Sequence, residues 1–251
     1  MSGSLQGAHI AYRLRELREP VGALVLPMVL IASIDEALDD LVRLAERGVT
    51  AAEILALTPY FGTLWPSGRG LARWLTRLYG SQPGCLSGQV VLELGCGLAL
   101  PSLVAARLGA RVIASDCHPD VPGFLARNAA LAEVEIEYQG LDWRVPAELD
   151  ALRERCGPFD LVIGSDLLYE AELARTLGPA LARLCGPRTR ALLADPGRPH
   201  LQEAVNVCEA AGFTSRLEIA GAPASLDVAV HGARGPEVQE LYLLALARLT
   251  A

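Results

Sequence analysis

The sequence contains no lysine: all 22 of its cationic residues are arginine. Schiff-base chemistry and the lysine of a phosphate-binding P-loop are therefore closed to it. No two of its six cysteines have CxxC spacing, which excludes a structural zinc site and a disulfide framework and fits reduced thiols. The four histidines (9, 118, 200 and 231) are dispersed, with no HExxH pattern, so no metal centre is expected. There is no GxSxG nucleophile elbow. No apolar stretch approaches the roughly 20 residues a membrane-spanning helix needs. The longest, Leu24 to Ile34, is interrupted by Pro27 and Ser33. No basic and apolar leader opens the chain, which predicts a cytoplasmic protein. A net charge of -7 withholds the phosphate-neutralising surface of a general nucleic-acid binder and is compatible with a cationic or neutral substrate.

What is present is a chain of 251 residues, about half of them hydrophobic, enough for one large α/β domain with an extension. From residue 89 onward, apolar runs alternate with helical patterns. Strands are expected near 89–94, 111–115, 134–138, 159–165, 189–194, 213–219 and 239–247, with helices between the first six. Such alternation predicts a parallel sheet covered on both faces. The run Glu133-Val134-Glu135-Ile136-Glu137-Tyr138 alternates charge with hydrophobe, as an edge strand does. The Gly-rich stretch 221–235 reads as the loop before a last strand.

Upstream, Ile10, Leu14 and Leu17 share one helical face and predict an amphipathic helix, followed by a buried strand at Leu24 to Ala32. Ser33 to Glu36 and Thr50 to Glu53 match capping boxes. The irregular stretch Thr58 to Gly70 leads to a helix that Ser67 can cap. Residues 1–57 are thus expected to form an N-terminal extension, as a substrate-recognition or lid region, and residues 58–251 the main domain.

The most informative segment is Leu92-Glu93-Leu94-Gly95-Cys96-Gly97, a strand ending in two glycines one residue apart. Asp116 follows nineteen residues after Gly97, at the end of the second strand. A strand, a glycine turn, a helix and a carboxylate suit the ribose of an adenosine-bearing cofactor. A dinucleotide site wants a small third residue to seat its pyrophosphate; here that position is Leu100, followed by Pro101. S-adenosylmethionine carries no phosphate, and its cationic amino-acid end suits Glu93. Cys96 lies within the turn, as a small residue. Asp116 can accept from the ribose hydroxyls or cap a helix near Pro119. Asp142 can accept from an adenine amino group, with Trp143 packed nearby, or serve a turn. Cys117 and Ser165 are further expected cofactor contacts, and His118 is expected at the rim in a structural role.

The segment Phe159 to Glu170 forms the fourth strand and its carboxyl end, beside the switch in strand order where open α/β sheets bind ligands. Asp166 and Tyr169 are expected to face the methyl group there. Asp166 orients an amine or takes its proton through water, or caps the next helix. Tyr169 orients the nucleophile or packs. Phe61 and Trp65 wall the pocket by cation–π attraction or pack. Arg198 receives an acidic group of the substrate or makes a surface ion pair.

These segments resemble the class I, seven-strand S-adenosylmethionine-dependent methyltransferases over residues 58–215. Asp166-Leu167-Leu168-Tyr169 resembles the (D/E)xxY motif of a protein-lysine methyltransferase branch. Leu64-Trp65-Pro66-Ser67-Gly68-Arg69 resembles its Trp-Pro-x-Gly segment, and Ala194 to Pro199 is similar to a stretch in the electron-transfer-flavoprotein β-subunit lysine methyltransferase-like group. The resemblance implies a Rossmann-like doubly wound sheet of order 3-2-1-4-5-7-6 with strand seven antiparallel. It implies an N-methyltransferase acting on a protein lysine, with no nucleic-acid or membrane partner. A small-molecule or peptide amine or imidazole is the alternative acceptor, and a non-catalytic scaffold the distant one.

Overall fold

A small sheet shares one apolar core with one face of a large sheet, whose other face carries a second core. The computed structural model describes residues 4–7, 10–46, 48–220 and 240–249. The stretch 221–235, expected as a loop, lies outside the described residues, as do His9 and His231.

β1 (Ser4–Gln6), β2 (Ala11–Val21) and β3 (Leu24–Ile31) form an antiparallel sheet in that order. The helix expected around Ile10 to Leu17 is absent, because this stretch is β2. Ile10, Tyr12 and Leu14 are buried while Ala11, Arg13 and Arg15 are exposed, a period of two. Farther along, the buried set changes face to Glu19 and Val21. The i, i+4, i+7 spacing of Ile10, Leu14 and Leu17 loses to pairing with β3, the strand the apolar run predicts.

α1 (Ile34–Ala45) starts at Ser33, whose hydroxyl accepts from the Glu36 backbone. Glu36 does not close the expected box; its carboxylate pairs with Arg13 on β2. The box before α2 (Ala51–Ala56) is complete, Thr50 and Glu53 each satisfying the other's backbone. A 3₁₀ turn, Tyr60–Gly62, leads to α3 (Pro66–Tyr79). Ser67 is not its cap: Trp65 holds that place, and Ser67 lies within the first turn.

The large sheet follows: β4 (Val90–Leu94), α4 (Leu100–Arg107), β5 (Arg111–Asp116), α5 (Val121–Leu131), β6 (Glu137–Gly140), α6 (Pro146–Cys156), β7 (Leu161–Ser165), α7 (Ala171–Leu184), β8 (Arg190–Asp195), α8 (Leu201–Ala210), β9 (Phe213–Ala220) and β10 (Leu241–Arg248). Its order is β6-β5-β4-β7-β8-β10-β9, with β10 antiparallel to both neighbours. That is the Rossmann-like order 3-2-1-4-5-7-6. The third strand is the edge, but it starts at Glu137 rather than 134. α5 ends in a left-handed Glu133 (φ 54°), and the N–H groups of Glu133 and Val134 return to the carbonyls of Ala130 and Ala129. This Schellman closure consumes the residues expected to open the strand.

Successive residues of the central strands face opposite layers. Val91 and Ile163 pack with α3, α4, α5 and the small sheet, whereas Leu92 and Val162 pack with α6, α7 and α8. Two covered faces explain the unbroken apolar runs. The small sheet lies against α5. Asn128 accepts from the Val29 N–H at 2.7 Å and donates to the Val29 and Leu98 carbonyls, so it pairs the backbone of β3 as another strand would. The Tyr12 hydroxyl donates to Asp120 at 2.7 Å, and the half-buried Arg69 meets the buried Glu19 at 2.8 Å.

Candidate functional site

The turn after β4 is built from left-handed residues. Gly95 and Gly97 have φ of 58° and 51°, and Ala99, a non-glycine, has φ 61°. A Cβ on Gly95 would stand 2.7 Å from Leu167, and one on Gly97 3.3 Å from the Phe61 carbonyl. Glycine is required here for both conformation and packing. Glu93, beneath the turn, is fully buried. One carboxyl oxygen accepts from the N–H and hydroxyl of Ser102, serving the open N-terminus of α4, which no side chain at Ala99 can cap. The other oxygen has no partner, and burial pushes the carboxyl up to about 8. Cys96 is buried, and its thiol is pushed well up by that burial.

Asp116 ends β5 and reaches back to the turn. Its two oxygens accept from the N–H groups of Gly97 at 3.0 Å and His118 at 2.9 Å. It does not cap α5. Burial raises its carboxyl, and these two backbone donors partly offset the shift. A carboxylate has about four lone-pair positions, so acceptor capacity remains. His118 is buried, with Nδ1 accepting from the Asp120 N–H and Nε2 against the Leu57 carbonyl, a structural role. Cys117 is exposed beside Asp116, its thiol pushed up to about 11 by partial burial and the Asp116 charge.

After β6, Asp142 is held on both oxygens by Arg144, whose closest contact is 2.7 Å, and this guanidinium keeps the carboxyl below its ordinary range. Trp143 packs against the Gly95 position, and its indole N–H is buried without a partner.

Asp166 leaves β7 in the left-handed region, φ 58°. Its backbone N–H bonds the Ala194 carbonyl. Oδ1 meets Arg198 Nη1 at 2.7 Å, while Oδ2 is buried and unpartnered. The Ser67 hydroxyl, fully buried and unpartnered at standard geometry, stands close enough to favour the ionised carboxylate. Asp166 caps no helix; α7 starts five residues on, after Glu170. Tyr169 is 54% exposed, with its hydroxyl in electrostatic reach of Asp116 and Cys117. Trp65 is 39% exposed and donates to the Tyr60 carbonyl. Ser165 lies opposite Gly68, at the start of α3.

The fold thus gathers Glu93, Gly95, Cys96, Gly97, Asp116, Cys117, Asp142, Trp143, Ser165, Asp166 and Tyr169 at and beyond the carboxyl ends of β4, β5, β6 and β7, whereas Trp65 meets the Tyr60 carbonyl before α3. The Phe61 ring joins Tyr12, Phe124 and His118 in a buried cluster, while its backbone and Cβ lie against the turn at Gly97. Arg198 points inward to Asp166 and Asp195. Sequence reasoning missed the roles of Ser67 and Asp195. Asp195-Pro196-Gly197 is an Asx-turn pattern that could have signalled the second. Among the described residues, no group of three or more His, Cys, Asp or Glu is placed to hold a metal. None of their helices is long and apolar enough to cross a membrane.

Strand order and cleft define a class I S-adenosylmethionine-dependent methyltransferase fold. Within that class the chain belongs to the lysine methyltransferase family, whose profile matches residues 58–205. The mouse electron transfer flavoprotein beta subunit lysine methyltransferase is 31% identical over 143 residues, 56% of this chain and 52% of that one. The chain therefore spans about half the length of such curated relatives. A ubiquinone biosynthesis O-methyltransferase of Xanthomonas oryzae is 35% identical over 113 residues, 45% of either chain. In three dimensions, a T. thermophilus 16S rRNA methyltransferase solved with AdoMet and guanosine covers 94% of this chain and 51% of its own, with a TM-score of 0.60 at 17% identity. The residues present fit S-adenosylmethionine: a glycine turn in the left-handed region, a carboxylate with spare acceptor capacity and a buried unpartnered indole N–H meet after β4.

Proposed function

We propose that this chain is an S-adenosylmethionine-dependent N-methyltransferase acting on a protein lysine side chain. The observation that carries the reading is the meeting of the glycine turn with the loop after β7, where Leu167 packs against Gly95 between Asp166 and the exposed Tyr169. Support for the acceptor comes from the family match and from relatives whose names specify lysine on an electron transfer flavoprotein subunit.

When bound, S-adenosylmethionine supplies an electrophilic methyl group on a sulfonium. Asp116 would hold the ribose hydroxyls. Asp142 and Trp143 would hold the adenine, with Cys117 at its edge. Glu93, Cys96 and Ser165 would line the amino-acid end, and Trp65 would wall the cleft. Tyr169 would orient the incoming amine by its hydroxyl. Asp166 would contribute negative charge that favours an approaching cation and accept its proton through water. Alignment and exclusion of water would supply much of the acceleration.

The test is titration calorimetry with S-adenosylhomocysteine, followed by mass spectrometry of electron transfer flavoprotein incubated with enzyme and S-adenosylmethionine. A mass gain of methyl units on lysine supports the reading. Cofactor binding with methylation only of small amines would move the acceptor to a metabolite. No binding at all would sink the enzyme assignment.

A further inference from the structure

One nitrogen of Arg198, Nη1, serves two carboxylates: Asp166 Oδ1 at 2.7 Å and Asp195 Oδ2 at 3.3 Å. Asp195 is fixed in turn, since its Oδ1 accepts from the backbone N–H groups of Gly197 and Arg198 at 2.8 and 2.7 Å. Tyr242 closes over this turn; a Cβ on Gly197 would stand 2.6 Å from its ring. The guanidinium is seated by its own loop. We infer that Arg198, anchored by Asp195, is a positioning residue for Asp166: it fixes one carboxylate oxygen and supplies the charge that lets a buried carboxylate stay ionised beside the methyl-transfer site.

The inference rests on the role given to Asp166 above. The groups facing Asp166 are Arg198 and Asp195 from the turn after β8, and the Ser67 hydroxyl from α3. Burial pushes the Asp166 carboxyl up, Arg198 and Ser67 pull it back, and Asp195 pushes it up again. The cluster of two carboxylates and one guanidinium carries one net negative charge, which complements a cationic amine. Without Arg198, two buried carboxylates would share a site with no cation, and one would take up a proton. Because a single nitrogen makes both contacts, the guanidinium fork is not needed, and an ammonium can replace it.

The test is a pH titration of the aspartate carboxylates by ¹³C NMR on the full chain, with signals assigned from D166N and D195N. It is paired with kcat and KM profiles on electron transfer flavoprotein. In R198Q, one apparent pKa of the pair should rise by about 1–3 units, while R198K should stay near the parent. The acid limb of kcat should move with it, with KM for the protein changed less than about threefold. An R198Q titration identical to the parent overturns the inference. So does an R198K titration shifted as far as that of R198Q, which would make the role one of packing. A rise in KM alone would make Arg198 a substrate contact and overturns it too. Should R198Q not fold, R198K carries the test: a shift beyond about one unit overturns the inference. The NMR titration involves neither cofactor nor acceptor. A parent that fails to bind S-adenosylhomocysteine would sink the functional reading, and the titration would still judge this one.

Discussion

The seam between the small sheet and the rest of the chain contrasts with the cleft a few residues away. At the seam, buried polar groups are matched: Tyr12 with Asp120, Asn128 with Val29 and Leu98, Glu19 with Arg69. At the cleft they are not. Of five buried side-chain polar atoms without a partner among the described residues, four belong to Ser67, Glu93, Trp143 and Asp166. Of the three left-handed non-glycine residues among the described residues, two, Ala99 and Asp166, are there as well. An unmatched buried polar atom costs about 1–3 kcal/mol, and backbone strain about as much. The seam is organised for stability, whereas the cleft forgoes some stability to keep polar groups and backbone positioned for ligands.

The comparison can be broken by substitution. Glu19→Gln removes the carboxylate partner of the half-buried Arg69, which keeps its bond to the Leu64 carbonyl, and should cost about 2–3 kcal/mol, seen as a fall in melting temperature with S-adenosylhomocysteine affinity retained. A small fall would show that the seam is not the fixed region. Asp116→Ala should weaken S-adenosylhomocysteine about a hundredfold, roughly 3 kcal/mol, by calorimetry. Unchanged affinity would remove the ribose contact.

Glu93 sharpens the contrast through pH. Its folded pKa, about 8, lies above the ordinary 4.5, so the stability tied to its neutral form is complete below pH 4.5 and lost as pH rises through 8. Glu93→Gln removes that dependence. Its melting temperature relative to the parent should climb across this window, at about 1.4 kcal/mol per pH unit. A constant difference would mean Glu93 does not titrate there. The smallest effect is expected of Ser67→Ala, which deletes a buried hydroxyl whose influence is on the Asp166 carboxylate. Thermal stability should hold or rise by about 1 kcal/mol while methyl transfer falls. A loss of stability would place Ser67 with the seam.

Much of the large sheet was legible because its signals are local. Apolar runs, the charged alternation around residue 135 and the glycine turn each depend on neighbours in sequence. The errors share a cause. The residues of β2 carried helical spacing until β3 claimed them, and the third strand began late because the close of α5 used its first residues. Asp116, Asp166 and Ser67 are all residue types that cap helices, yet none caps one here. Arg198 carried no mark of its target, thirty-two positions upstream.

Periodicity and turn chemistry are properties of short stretches, so the sequence alone determined the alternating strands, the edge strand and the bend at 95–97. The partners of buried polar groups were decided only by the tertiary structure. Tyr12 finds Asp120 across 108 residues, Val29 finds Asn128 across 99, and Asp166 finds Arg198. Such pairs form because burial removes water as the alternative partner, and which groups are buried together is set by the packing of the whole chain.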